Sequence, residues 1–297
     1  MLSIQDAFKK FRTKLELTQK EQDDASSRQK EIRRVMQEDF QIDHDFLTGS
    51  YRRWTKTKPL KDVDIFCVLA DKERHYRNTD PSVLLKAVEK TLAKKYGASC
   101  VSRQRRSVTV DFGVKEDAAG ETGDKVMSFD VVPAFTKNGY YEIPDTATSA
   151  GWTKTDPRVH YDKAVEANDA YDGMLKGLVR MMKSWNREQG KPIRPSFLIE
   201  VMALEVLYPP WGGTYSREMQ AFFHTLADRV REEWPDPAGL GPNVSDSMNA
   251  SERDSARQAL LAAERQAAHA ILLEREGKNG EALRTWRALF GKLFPLS

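Results

Sequence analysis

Asp62 and Asp64 stand two residues apart at the entrance to an apolar run, Ile65-Phe66-Cys67-Val68-Leu69. Branched and aromatic residues in so short a run predict a buried strand. Side chains alternate along a strand, so both carboxylates project from one face, about 7 Å apart along the chain. Carboxylates gathered at the mouth of a buried strand repel each other and lose hydration. A divalent cation relieves both penalties, and Mg²⁺ prefers hard oxygen ligands and completes its shell with substrate phosphates. Just upstream, Gly49-Ser50 predicts a tight turn whose backbone N–H groups and hydroxyl suit an anion. A phosphate-holding turn one connection away from a metal-holding strand describes a nucleotide site.

Either half alone is weak, because Gly-Ser is a common turn and Asp-x-Asp is frequent on surface strands. The run after Asp64 is too apolar for a surface strand, and the chain supplies a third carboxylate. Met127-Ser128-Phe129-Asp130-Val131-Val132-Pro133 is another apolar strand with one charge in it, ended by proline. An isolated buried aspartate is costly. Beside Asp62 and Asp64, Asp130 completes a three-carboxylate site for two metal ions, suited to in-line transfer of a nucleotidyl group.

These residues resemble a known superfamily, the DNA polymerase β-type nucleotidyltransferases. Leu47-Thr48-Gly49-Ser50-Tyr51 and Phe129-Asp130-Val131-Val132-Pro133-Ala134-Phe135 are similar to the bacterial cGAS/DncV-like nucleotidyltransferases (CD-NTases), the cyclic-oligonucleotide synthases of CBASS anti-phage defence. The resemblance spans roughly residues 40 to 245. It implies an α+β fold: a polymerase β-type catalytic lobe with a mixed sheet and a long N-terminal brace helix, and an oligoadenylate-synthase-like helical lobe closing over the site. The expected division is 1–155 and 156–297. It further implies ATP and other NTPs as substrates, two Mg²⁺ with Mn²⁺ able to substitute, and catalysis and metal binding by Asp62, Asp64 and Asp130. Gly49, Ser50, Lys183 and Ser196 would bind the nucleotide. Some relatives require a HORMA-type activator protein, and whether a nucleic acid activates this chain stays open. Two other readings stand beside it: a nucleotidyltransferase toxin modifying tRNA or protein, and an inactive RNA-binding or scaffold relative.

The elements that must position these groups are legible to different degrees. Ile4, Phe8, Phe11 and Leu15 recur at helical spacing, and residues 3 to 39 read as one long helix. Asp80-Pro81 starts another helix, ended by Gly97. Residues 107 to 114 alternate as a half-buried strand, and the polar turn from Glu116 to Lys125 leads into the Asp130 strand as a hairpin. Arg103, Arg105 and Arg106 precede it, as a solvated strand end or as phosphate contacts. Residues 145 to 162 read as the crossing between lobes.

From Lys163 the pattern is helical. Leu178, Met182 and Trp185 mark a buried stripe, and Lys176, Arg180 and Lys183 line a neighbouring, solvent-facing one. Ser196 reads as a helix N-cap, a role compatible with the phosphate contact that the resemblance implies. Tyr51, Trp54, Tyr140, Tyr161 and Trp211 are aromatic residues able to stack a base.

Composition is that of an ordinary globular enzyme, with 40% hydrophobic and 31% charged residues over 297 positions. A net charge of +3 is compatible with a polyanionic substrate without demanding a nucleic-acid partner. Two cysteines, Cys67 and Cys100, provide neither a disulfide framework nor a structural zinc cluster. With no apolar signal core and no span, the expected location is cytoplasmic, away from membranes.

Overall fold

The computed structural model describes residues 2–117 and 122–297; residues 118–121, inside the turn expected from Glu116 to Lys125, lie outside the described residues. The long helix expected over residues 3 to 39 is two helices, α1 (Ile4–Leu15) and α2 (Gln19–Met36). Glu16 leaves helical geometry at φ −77°, ψ 146°. Thr18 then opens α2 with a capping box: its hydroxyl accepts from Glu21 N at 3.1 Å, and Glu21 Oε2 accepts from Thr18 N at 2.7 Å.

The chain forms two compact units, Leu17–His160 and, separately, Met1–Glu16 with Tyr161–Ser297. The break after α1 is what lets the first sixteen residues join the C-terminal helices, where the expected division had kept them with residues 17–155. Phe8 packs edge-on to Trp286 with centroids 4.9 Å apart, and Phe11 meets Phe290 at 5.1 Å. Those contacts account for the assignment, because the buried face of α1 has its apolar partners there.

The unit Leu17–His160 is built on a seven-stranded mixed sheet. Its elements in chain order are β1 (Ile42–Leu47), the short helix α3 (Gly49–Arg52), β2 (Val63–Leu69), α4 (Pro81–Tyr96), β3 (Val101–Arg103), β4 (Val108–Asp111), β5 (Ser128–Lys137), β6 (Tyr140–Pro144) and β7 (Trp152–Thr155). The main path runs β1-β2-β5-β4-β3, and β6 and β7 continue from β5 as a meander. Among the described residues only the pair β2 and β5 is parallel; the hairpin expected between β4 and β5 forms. Asp80 caps α4, with Pro81 as its first residue and Gly97 past its end.

Alternation along β2 and β5 divides the core. Val63, Ile65, Cys67 and Leu69 join Phe129, Val131 and Phe135 under α2 and α4. Phe66, Val68, Val132 and Ala134 face the other way, with Tyr141 and Ile143. Asp64 and Asp130 share the parity of this second set, so both stand at the N-terminal edge of the second face.

The other unit is helical. Beyond α1 it comprises α5 (Pro157–Ala170, whose first residues belong to the sheet unit), α6 (Leu175–Glu188), α7 (Ser196–Val206), α8 (Tyr215–Arg229), α9 (Ala250–Arg275) and α10 (Asn279–Phe290). Leu178, Met182, Trp185 and Phe223 are fully buried in its core. Among the described residues no helix is long and apolar enough to cross a membrane.

Candidate active site

The parallel register sets Asp64 directly opposite Asp130, and the antiparallel register sets Thr109 opposite Asp130 on the other side. Three neighbouring strands therefore present two carboxylates and a hydroxyl in one row. Thr109 Oγ1 donates to Asp130 Oδ1 at 2.5 Å. Burial and the adjacent Asp130 charge push the Asp64 carboxyl up to about 6. Burial also raises Asp130, against the Thr109 hydrogen bond that favours its ionised form.

Asp62, expected to share a strand face with Asp64, is not part of β2. It is exposed, stands one residue before the strand and has a left-handed backbone, φ +54°. Ser128, the first residue of β5, holds it twice: Asp62 N donates to Ser128 Oγ at 3.0 Å, and Ser128 Oγ donates to Asp62 Oδ1 at 3.0 Å. Lys56 Nζ donates to the Asp62 carbonyl at 3.3 Å.

The Gly49-Ser50 segment, expected as a tight turn, is the first half of the one-turn helix α3, entered through Gly49 at φ +62°. Thr48 N donates to the Asp64 carbonyl at 2.9 Å, which draws this segment onto β2. A Cβ on Gly49 would lie 1.8 Å from Asp64 Oδ2, so only glycine leaves the carboxylate its place. The Ser50 carbonyl accepts from Thr55 N and Lys56 N, both at 3.0 Å, closing the loop that carries Lys56 back to Asp62.

Residues 2–168, more than half the chain, match the family described as the second messenger oligonucleotide or dinucleotide synthetase domain. The chain belongs to this family. It is a cGAS/DncV-like nucleotidyltransferase. It is 29% identical to a probable cyclic nucleotide synthase of Bacillus cereus over 83% of this chain and 81% of that one. It is 30% identical to the cyclic AMP-AMP-AMP synthase of an Acinetobacter species, over 86% and 73%. In fold it is similar to Escherichia coli MS115-1 CdnC at 20% identity. The TM-score is 0.70 over 99% of each chain for CdnC with ATP, and 0.71 over 98% of each for CdnC in complex with HORMA-deltaN. These relatives identify the chain as a cyclic oligonucleotide synthase.

The donor set of the nucleotidyltransferase suits a hard divalent cation, the kind of ion this family generally uses. Three aspartates supply oxygen ligands only, and burial together with carboxylate repulsion raises Asp64 and Asp130, a penalty that a bound cation would offset. Among the described residues, no three carboxylate, imidazole or thiol side chains are already gathered as a metal cage. Asp62 Oδ1 is taken up by Ser128 and Asp130 Oδ1 by Thr109, so the set fits in chemistry and needs side-chain adjustment to close on an ion.

Lys183 and Ser196 belong to the helical unit. Lys183 is buried, contrary to the solvent-facing stripe expected of it: Lys183 Nζ donates to Glu200 Oε1 at 2.6 Å, with each side chain 7% exposed. Arg180 of the same stripe is also buried and donates to Glu16 Oε1 at 2.6 Å, and burial pushes its guanidinium below the ordinary value. The stripe fails as a wet face because α1 and α7 bring carboxylates to it. Ser196 is exposed at the first position of α7, and Pro195 occupies the N-cap without a side-chain bond, so Ser196 does not cap. Glu200 follows Ser196 by four residues, which puts the Lys183 ammonium about one helical turn from the Ser196 end.

The arginines before β4 divide. Arg103 pairs with Glu89 at 2.9 Å, while Arg105 and Arg106 both bind Asp145, whose carboxyl is fully buried. Sequence reasoning missed Thr109, Ser128 and Lys56 at the carboxylates. Thr109 and Ser128 had one available signal, a hydroxyl in a strand at the parity of an apolar-strand aspartate.

Proposed function

We propose that this nucleotidyltransferase joins nucleoside triphosphates, ATP among them, into a cyclic oligonucleotide second messenger, using two Mg²⁺, in the cytoplasm, and that the product serves anti-phage (CBASS) signalling. The observation that carries the metal reading is the register of Asp64 against Asp130 on parallel strands, with Gly49 pressed against the Asp64 carboxylate. Mg²⁺ supplies acidification of the acceptor hydroxyl and neutralisation of the triphosphate when bound there. Asp62 and Asp64, flanking one residue beside the Gly-Ser segment, hold the metals on the donor side. Asp130, reached from a separate strand and oriented by Thr109, serves the side where the acceptor hydroxyl loses its proton. Gly49 and Ser50 bind the outer phosphates, and Lys183 and Ser196 add charge and a hydroxyl, Lys183 exchanging part of its bond to Glu200 for phosphate oxygens. Most of the rate then comes from positioning and electrostatic stabilisation.

ATP as a substrate is supported by the cyclic AMP-AMP-AMP synthase relative and by the fold shared with CdnC, which was solved with ATP. The CdnC complex with HORMA-deltaN supports a HORMA-type activator as partner. A reduced compartment is supported by the free thiols of Cys67 and Cys100. The test is incubation with all four NTPs and Mg²⁺, with and without a HORMA protein, followed by mass spectrometry of phosphatase-resistant products. A cyclic product containing adenosine is expected. Labelling of tRNA or protein in place of a free cyclic product would overturn the reading in favour of a toxin.

A further inference from the structure

Asp62 is the one aspartate of the three whose backbone is left-handed, φ +54°, a conformation that L-residues other than glycine adopt at a cost, Asn and Asp most readily. It also lies outside the strand, so the β2 ladder does not fix the direction of its carboxylate. Ser128 does. Its hydroxyl accepts from the Asp62 amide at 3.0 Å and donates to the Asp62 carboxylate at 3.0 Å, closing a ring of two hydrogen bonds between one side chain and one residue. The second bond is charge-assisted and sets the carboxylate torsion; the first holds the turn that the torsion depends on. Ser128 is itself nearly buried, 8% exposed, and lies two residues before Asp130 on β5, with the same parity. One strand thus carries a metal-site carboxylate at Asp130 and the clamp for another at Ser128.

We propose that Ser128 is a positioning residue for the nucleotidyl-transfer reaction: it presets the Asp62 carboxylate for the divalent ion and couples its placement to the Asp130 strand. The inference rests on the reading of Asp62, Asp64 and Asp130 as metal ligands. Ser128 touches neither substrate nor reacting atoms. The Lys56 bond to the Asp62 carbonyl supports the turn from the opposite end.

The experiment measures Mn²⁺ binding by electron paramagnetic resonance in the presence of a non-hydrolysable ATP analogue, beside thermal unfolding in EDTA. Wild type, Ser128→Ala, Ser128→Thr and Asp62→Asn are compared. Ser128→Ala is expected to weaken Mn²⁺ about tenfold, the scale of one hydrogen bond to a charged group. It should raise the Mg²⁺ concentration for half-maximal activity in proportion, with the rate at saturating Mg²⁺ largely retained. Ser128→Thr keeps the hydroxyl and should restore both. A merely structural serine predicts a lowered unfolding temperature with unchanged Mn²⁺ affinity, and that result overturns the inference. Should Asp62→Asn itself bind Mn²⁺ like wild type, the metal reading fails first. If Asp62→Asn loses the ion while Ser128→Ala keeps it, only the role of Ser128 is refuted.

Discussion

Gly49→Ala separates two costs that usually arrive together. The residue sits at φ +62°, where an L-side chain is strained by about 1–2 kcal/mol. Its new Cβ would also stand 1.8 Å from Asp64 Oδ2 and 2.8 Å from Asp64 Cγ, so these atoms must retreat by more than about 1 Å to reach normal contact. The obstacle is the end of a side chain, and Asp64 can rotate away, so folding stability bears little beyond the backbone strain. Catalysis bears the rest: a misplacement of about 1 Å in a catalytic group costs about 10²-fold.

Gly97→Ala is the control. Gly97 has φ +88° in the same unit, and a Cβ there meets nothing within 4 Å. Both variants are expected to unfold a few degrees below wild type, since about 1 kcal/mol shifts the midpoint of a domain this size by about 2–4 °C. Only Gly49→Ala should lose turnover, by about 10²-fold or more, measured as nucleotide product at saturating Mg²⁺ and NTP. Activity within twofold of Gly97→Ala would show that the Gly49–Asp64 approach does not position the carboxylate.

Two further outcomes follow from charges inside each unit. The Asp64 carboxyl is held above its ordinary 3.8 at about 6, so the metal-free fold prefers it protonated. Stability from this group is therefore full below pH 3.8, declines through the window up to about 6 and stays low above it. In EDTA, Asp64→Asn should flatten that decline and gain about 2–3 kcal/mol at pH 7 while abolishing synthesis, as denaturant melts at pH 5 and 7 can check. Lys183→Ala removes the 2.6 Å ammonium partner of buried Glu200 and should cost about 3–5 kcal/mol in stability, most of it recovered in Lys183→Met/Glu200→Gln. Both variants should bind ATP more weakly in calorimetry; if the double variant binds ATP like wild type, Lys183 has a structural role only.

What could be read from the chain and what could not divide along one physical line. Short apolar runs are local, and they located β2 and β5 with Asp64 and Asp130; the stop expected at Pro133 fails, because β5 runs on through it to Lys137, and Asp62 falls one residue short of β2. That Asp64 meets Asp130 residue for residue depends on a parallel pairing across about sixty positions, which no local pattern encodes. Thr109 and Ser128 carried only the weak signal of strand parity, and Lys56 carried none, because a hydroxyl or an ammonium gains its role from the group that the fold places opposite it. The basic stripe on α6 was misjudged because amphipathicity reports where charge sits on a helix and says nothing of a carboxylate arriving from another.

The split of the first helix is the opposite case, a local signal outweighed by a longer one. Thr18-x-x-Glu21 is a capping box in plain sight. Absence of proline and glycine over residues 3 to 39 argued for continuity, yet a helix needs no breaker to end when its two apolar faces have partners in different cores. Ile4, Phe8, Phe11 and Leu15 pack with the helical unit, whereas Ala25, Ile32, Val35 and Met36 pack with the sheet. Burying four large apolar side chains is worth about 1.5–3 kcal/mol each. That exceeds the few hydrogen bonds lost at residues 16–18, which the capping box partly replaces. β2 gains by the same division, because α2 is free to cover its Val63, Ile65 and Cys67 face and does not cover the opposite face, whose edge carries Asp64 and Asp130.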